Sequence, residues 1–267
     1  MKILIIYGSH PRHSFVASKI SQIGYQVAQI KVMRESIISV PPANLSSGDN
    51  QNFIRHFADR VVAEEKGFNL KQDIKTLSVG NSLEISSMEL NSIKTVGFVK
   101  KNAADFCLIF GTGLINEPLL SSLPSNTFNL HLGLSPWYRG AATLFWPFYF
   151  LEPQFAGITI HKITNKPDAG EIYHQEVPVL EYGQGIHDVA IAAVKTSIDP
   201  LKNLFCTLEN NPELKGFEPK SSGRIWRERD FRPEHLRLIY DQNNNQIVDR
   251  YLRGDLGNSY PNLMSVL

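Results

Sequence analysis

The segment Lys2-Ile3-Leu4-Ile5-Ile6-Tyr7-Gly8-Ser9 decides how the rest of the chain is read. Its unbroken apolar run leaves no polar face, so a strand here must be covered on both sides, and Gly8-Ser9 ends it in a loop. The run is very short and has no small-residue cleavage site after it, so it reads as a strand and not as a signal peptide. Working outward, residues 14–23 carry Phe15, Ile20 and Ile23 at roughly helical spacing, and residues 26–33 alternate like a second strand. Residues 52–66 place Phe53, Ile54, Phe57, Val61 and Val62 on one helical stripe. A short strand is expected at 74–79 and a helical segment from Ser87 to about Lys101. The very apolar strand 105–110 then breaks at Gly111-Thr112-Gly113.

Further along, strand 128–131 runs into a Pro- and Gly-containing loop, 133–140, with a helix expected over 141–151. Strands follow at 156–163 and 171–179, and then an amphipathic helix at 187–208, where Pro200 is expected to kink or divide the pattern. Strands alternating with helices imply βαβ units. The fold class expected is α/β, a Rossmann-like, mainly parallel sheet with helices on both faces, plus a small C-terminal appendage. Its organisation divides into residues 1–210 as the main domain and 211–267 as the appendage. The latter begins arginine-rich, and residues 238–252 suggest a short hairpin or helix around Asn243-Asn244-Asn245. At about 55 residues it is small to fold alone, so it is expected to pack on the main domain or on a second subunit, which would make a homodimer.

The 267 residues allow one or two domains at about 150 residues each. With 42% hydrophobic and 20% charged residues there is enough apolar mass for a core, which excludes a disordered or low-complexity chain. Lys plus Arg number 27 and Asp plus Glu 26, a balance that argues against extended nucleic-acid binding. The two cysteines, Cys107 and Cys206, lie far apart and outside metal-ligand spacing, which fits a reducing compartment and a cytoplasmic protein. No apolar run approaches the ~18 residues of a membrane helix.

Two short segments carry the chemistry. Asn129-Leu130-His131 ends a buried strand just before Leu132-Gly133-Leu134-Ser135-Pro136-Trp137-Tyr138-Arg139-Gly140. Ligands of open parallel sheets bind beyond the carboxyl ends of strands, and residues i and i+2 share a face. Asn129 and His131 therefore point the same way, an amide donor beside a titratable ring. That pairing suits a reaction in which a carbonyl oxygen becomes negative and a proton moves, although a hydrogen-bonded strand-to-loop tie would need the same residues. The second segment is Thr159-Ile160-His161-Lys162-Ile163 followed by Asp168-Ala169-Gly170-Glu171-Ile172. Asp168 is placed to orient an imidazole and favour its charge, or to serve as an ordinary turn residue.

Together the two segments resemble the N10-formyltetrahydrofolate-dependent formyltransferases, which include glycinamide ribonucleotide, methionyl-tRNA and nucleotide-sugar enzymes. The resemblance rests on Asn-x-His, a proline-containing loop closing on Arg-Gly, and Thr-x-His-x-Ile-x4-Asp-x-Gly-x-Ile further on, and it spans about residues 1–180. It implies that Asn129, His131 and Asp168 are catalytic, with a protonated His131 and Asn129 donating to the formyl oxygen. It makes N10-formyltetrahydrofolate the co-substrate, with Phe110, Gly111, Gly113, Leu114, Ile115, Asn116, Ile163 and Asp168 around the pterin. On the acceptor side it implies His161, and the residues themselves add Gly8, Ser9, Arg12 and Arg139. The chain departs from the family where Leu132-Gly133-Leu134-Ser135-Pro136 replaces a common Ser-Leu-Leu-Pro stretch, and where Gly113-Leu114 stands in place of a long side chain. No metal is implied, since His10, His13, His56, His174, His187 and His235 show no ligand spacing.

The size and the tail favour a small amine on a nucleotide-linked sugar as acceptor. Methionyl-tRNA, glycinamide ribonucleotide, transfer to water and a non-catalytic folate-binding module are the alternatives. Lys220, Arg224, Arg227, Arg229, Arg232 and Arg237, interleaved with Trp226 and Phe231, would meet phosphate, a sugar nucleotide or RNA, or else form a solvated face anchored by its two aromatics. The run Phe145-Trp146-Pro147-Phe148-Tyr149-Phe150 reads as core or subunit interface.

Overall fold

A computed structural model describes residues 1–34, 39–69, 81–220 and 223–267. The strands are β1 (Lys2–Gly8), β2 (Gln26–Met33), β3 (Ser82–Ser86), β4 (Phe106–Phe110), β5 (Asn126–His131), β6 (Tyr138–Gly140), β7 (Ile158–Lys162), β8 (Ile172–Glu176) and β9 (Arg224–Trp226). The helices are α1 (Pro11–Ser21), α2 (Ser47–Phe68), α3 (Ile93–Asn102), α4 (Trp146–Tyr149), α5 (Ile186–Thr196), α6 (Ile198–Asn210) and α7 (Ile247–Leu252). Among the described residues, seven strands form one sheet in the order β3-β2-β1-β4-β5-β7-β8. It is parallel from β3 to β5 and antiparallel at β7 and β8.

The opening strand behaves as its composition demands. Ile3, Ile5 and Tyr7 face one core, with Phe15 and Ile20 of α1 and Val194 and Leu201 of α5 and α6. Leu4 and Ile6 face a second core, with Val96 and Val99 of α3. Side chains of a strand alternate between faces, so an all-apolar strand needs a layer of helices on each side.

Several expected elements change in detail. The strand expected at 74–79 lies outside the described residues, and β3 at Ser82–Ser86 supplies the sheet edge in this part of the chain. Helix α2 is longer than its apolar stripe: Ser46 Oγ accepts from the Asp49 N–H to begin it. Its buried face is set by Phe53, His56 and Glu64, leaving Ile54 and Val62 exposed. The segment from Ser87 splits into a 3-10 turn, Ser87–Glu89, and α3, because Ser86 and Ser92 each cap a separate start. The helix expected over 141–151 shrinks to α4, since Ala142 takes a left-handed conformation (φ +54°) that no continuing helix tolerates. The 187–208 pattern divides at Ser197, and Pro200 sits in the first turn of α6, where its missing N–H costs no helical bond.

The C-terminal stretch joins the first core through Trp226, Leu236, Ile239, Tyr240, Ile247 and Val248. Residues 238–252 form a π-helical turn, Leu238–Gln242, followed by α7, with Asn244 and Asn245 left-handed between them. Trp226 stacks on Trp146 with ring centroids 4.1 Å apart, and the Arg224 guanidinium lies 3.7 Å above the same ring. Phe231 packs edge-on against Phe145, and Arg237 forks onto the buried Asp49 of α2. Both aromatics of the arginine-rich stretch therefore anchor it to the body. Strand β9 pairs in parallel with β6, opposite Tyr138–Gly140.

Candidate active site

The chain leaves β1 toward β2 and β3, then returns to place β4 on the other side of β1. Strand order reverses there, and such a reversal opens a crevice beyond the carboxyl ends of the strands. A cleft of about 570 Å³ occupies that position. Its walls include the end of β4 with Gly111, Thr112 and Gly113, the end of β5 with Asn129 and His131, and Asp168 from the turn after β7. Gly111 has φ +64°, and a Cβ on it would lie 2.1 Å from His13 Nε2, so the β4 turn closes over the His13 ring only as glycine.

Asp168 is the hub. Its Oδ2 accepts from the Gly140 N–H at 2.9 Å and lies 3.6 Å from His131 Nδ1. Its Oδ1 accepts from Asn129 Nδ2 at 3.3 Å and lies 3.3 Å from His161 Nε2. Arg139 donates to the Pro167 carbonyl and so pins the turn that carries Asp168. Asn129 Nδ2 also lies 3.1 Å from His161 Nε2, and a ring nitrogen of His161, Nδ1, donates to the Lys162 carbonyl at 2.9 Å. Nε2 of His161 is then the acceptor in its neutral form. Its nitrogen, Asp168 Oδ1 and Asn129 Nδ2 form a nearly equilateral triangle with sides of 3.1, 3.3 and 3.3 Å. The two acceptors thus subtend about 60° at Nδ2, half the angle between its hydrogens, so the amide cannot point a separate hydrogen straight at each.

His131 is buried, and its Nε2–H donates to the Tyr138 carbonyl at 2.8 Å. Burial pushes its imidazolium below the ordinary histidine value, while the Asp168 charge and the Tyr138 carbonyl oppose that. For Asp168, burial would raise the carboxyl, but His131, His161 and the Gly140 N–H outweigh it and hold it well below the usual carboxylate range. At neutral pH the pair is therefore an ionised carboxylate beside an uncharged ring whose Nδ1 is free to take a proton.

Beside the cleft, Arg12 and Arg60 both donate to the same oxygen of Glu64, Oε1. Glu64 Oε2 is buried with no hydrogen-bond partner among the described residues. Burial would raise this carboxyl too, and the two guanidiniums bring it below its ordinary value. Burial and the neighbouring Arg60 lower Arg12 to about 10. Two cations share one anion, which leaves the wall positive.

Burial also holds His13 and His56 well below the ordinary histidine value, and burial with Arg60 and Arg12 pushes His187 down to about 4. An unfolded chain binds more protons than the folded one wherever pH lies between the folded and the ordinary values. Stability is therefore full above about pH 6.5 and is lost as pH falls toward 4. His187 alone contributes on the order of 3 kcal/mol to that loss. Scanning calorimetry is expected to give a clearly lower Tm at pH 5 than at pH 7.5, and a Tm that holds or rises over this interval would contradict the assignment.

A family model described as "Formyl transferase" matches residues 55–234, well over half of the chain. The chain belongs to the formyl transferase family. This family uses a formyl-tetrahydrofolate donor. Among solved structures, the formyltransferase resembles an N-formyltransferase from Helicobacter canadensis, determined with folinic acid and dTDP-3-aminofucose (TM-score 0.56, 16% identity, 90% of this chain and 80% of that one). It also resembles PseJ from Anoxybacillus kamchatkensis, determined with UDP-4,6-dideoxy-4-formamido-L-AltNAc and tetrahydrofolate (0.51, 16%, 92% and 96%). A phosphoribosylglycinamide formyltransferase from Anaplasma phagocytophilum is similar as well (0.53, 14%, 85% and 97%). At these identities the likenesses show the shared fold. Among the described residues of the formyltransferase, no helix is long and apolar enough to cross a membrane.

In the formyltransferase, Asn129, His131, His161 and Asp168 come together, and Phe110, Gly111, Gly113, Leu114, Ile115, Ile163 and Arg12 line the same cleft. Others stand elsewhere. Asn116 donates its N–H to Asn91, Ser9 accepts from the Arg34 N–H, Gly8 is packed under Gly111 and His13, and Arg139 is a buried strut to Pro167. Arg34, Arg60 and Glu228 reach the cleft without having been singled out for it in the sequence. For Arg60 a signal existed: His56, Arg60 and Glu64 repeat at i, i+4 and i+8 on one face of α2.

Proposed function

We propose that this formyltransferase moves a formyl group from N10-formyltetrahydrofolate to a primary amine on a nucleotide-linked sugar, with Asn129, His131 and Asp168 as its catalytic groups. The observation that carries the reading is the convergence of these three side chains at the carboxyl end of β5, in one cleft. On the donor side, the apolar surfaces of Ile109, Leu114, Ile115 and Ile163 line the cleft beside the irregular backbone of residues 111–115. A flat heterocycle with hydrogen-bonding edges fits between them. On the acceptor side, the surplus positive charge of Arg12 and Arg60 favours a substrate carrying an anion, as a nucleotide does.

Negative charge develops on the formyl oxygen as the amine adds, and the Asn129 amide in the cleft donates to it. The resemblance had implied that a charged His131 shares this task. With Nε2–H held by Tyr138 and the ring uncharged, His131 instead accepts the proton leaving the amine at Nδ1, directly or through a water, and Asp168 stabilises the charge so formed. The new C–N bond forms at the acceptor, the old bond to N10 breaks, and the proton taken from the amine is returned to N10.

Tetrahydrofolate release, followed with a panel of amines, tests the reading. Release is expected with dTDP- or UDP-linked amino sugars. Faster release with glycinamide ribonucleotide or methionyl-tRNA would overturn the acceptor class. Formate formed without any amine would make the protein a hydrolase, and bound folate with no release would make it a binding module.

A further inference from the structure

A second cavity, of about 300 Å³, adjoins the cleft and shares Arg12, Arg60, Leu132, Ala142 and Thr143 with it. Its remaining walls come mainly from His56 and Phe57 of α2, Ile186 and His187 of α5, and Phe145 and Phe231. Among the described residues, no Asp or Glu lines it. The rings of His56 and His187 stand 4.6 Å apart at its edge, and His187 Nε2 is buried with no hydrogen-bond partner among the described residues. We propose that this side cavity seats the anionic phosphate or diphosphate end of the acceptor, and that the His56–His187 pair takes up one proton as the anion enters.

The inference rests on the acceptor reading above and adds recognition chemistry to it. Every charged neighbour of the pair acts in one of two directions. Arg60 from α2 and Arg12 from α1 keep the empty pair uncharged, together with burial. Glu64 favours charge on His187 but is itself shared between the two guanidiniums. From the C-terminal stretch, the Tyr240 hydroxyl lies 2.9 Å from His56 Nδ1. On α5 itself, Asp188 is occupied by the Gly185 N–H. A dianion among these groups reverses the balance, because its charge outweighs the repulsion from the guanidiniums. Two rings this close hold one proton far more readily than two, so the uptake is one.

Isothermal titration calorimetry of the full-length wild-type protein with UDP-glucose tests this. That probe has no amine to be formylated, and its diphosphate diester keeps a constant charge from pH 6 to 8. The expected result is about tenfold tighter binding at pH 6 than at pH 8, with uptake close to one proton when buffers of different ionisation enthalpy are compared. His187→Gln is expected to lose both the pH gain and the uptake. Sulfate, titrated alone, reproduces the uptake if the seat reads a bare dianion; uptake with UDP-glucose only means that it reads a diphosphate. Affinity independent of pH, absence of uptake in the wild type, or unchanged linkage in His187→Gln overturns the proposal. Tetrahydrofolate release with an amino sugar but no linkage would sink this seat and leave formyl transfer standing. Linkage without release from any amine would do the reverse.

Discussion

An Asp168→Asn variant is expected to bind the formyl donor as the wild type does and to turn over about a thousandfold more slowly, within the range of a lost acid–base partner. Asparagine is the informative replacement for a backbone reason. Asp168 sits at φ +46°, a left-handed conformation that asparagine adopts more readily than alanine. The amide oxygen can still accept the Gly140 N–H, so the turn keeps its anchor. What disappears is the negative charge 3.6 Å from His131 Nδ1, and with it the stabilisation of a protonated ring. Single-turnover kinetics separate this from weakened binding. A loss smaller than tenfold, with Tm preserved, would remove Asp168 from the proton path.

Replacing Asn129 with alanine is expected to lower kcat by about 10²- to 10³-fold, the usual cost of about 2.7–4 kcal/mol for one donor aimed at a developing oxyanion. The prediction follows from the place of Asn129 Nδ2 at the carboxyl end of β5, facing the cleft beside His161 and Asp168. Because the charge on the formyl oxygen develops only during addition, the donor's Kd should hold while kcat falls. A raised KM with unchanged kcat would make Asn129 a uniform binding group instead.

Much of the scaffold was legible because strands buried on both faces cannot hide. Ile3 to Tyr7 and Phe106 to Phe110 carry no polar residue, and only a two-sided sheet can absorb them. The residues between 141 and 151 were less transparent. Their aromatic content reads as helix, but Ala142 turns left-handed, and the resulting loop carries Thr143 to the cleft wall. That choice is made by tertiary packing and leaves no periodic trace. Asn129, His131 and Asp168 could be singled out from strand alternation and motif order. The place of Asn129 Nδ2 beside both His161 and Asp168, and the burial that lowers His131, depend on packing that no spacing contains. Arg60 was hidden differently: attention to the apolar stripe of α2 passes over the polar face that the helix actually buries.

Strand β9 lies against β6, and the β6 residue Gly140 both packs under the Trp226 carbonyl and lends its amide to Asp168. A peripheral ladder of three residues on each side is thus wired to the carboxylate at the centre. Peeling that ladder away would disarm the catalyst while the large sheet stood intact. In a urea titration, activity and tryptophan emission should fade together, ahead of the far-ultraviolet dichroism, so that the arginine-rich stretch works as a fuse for the whole machine.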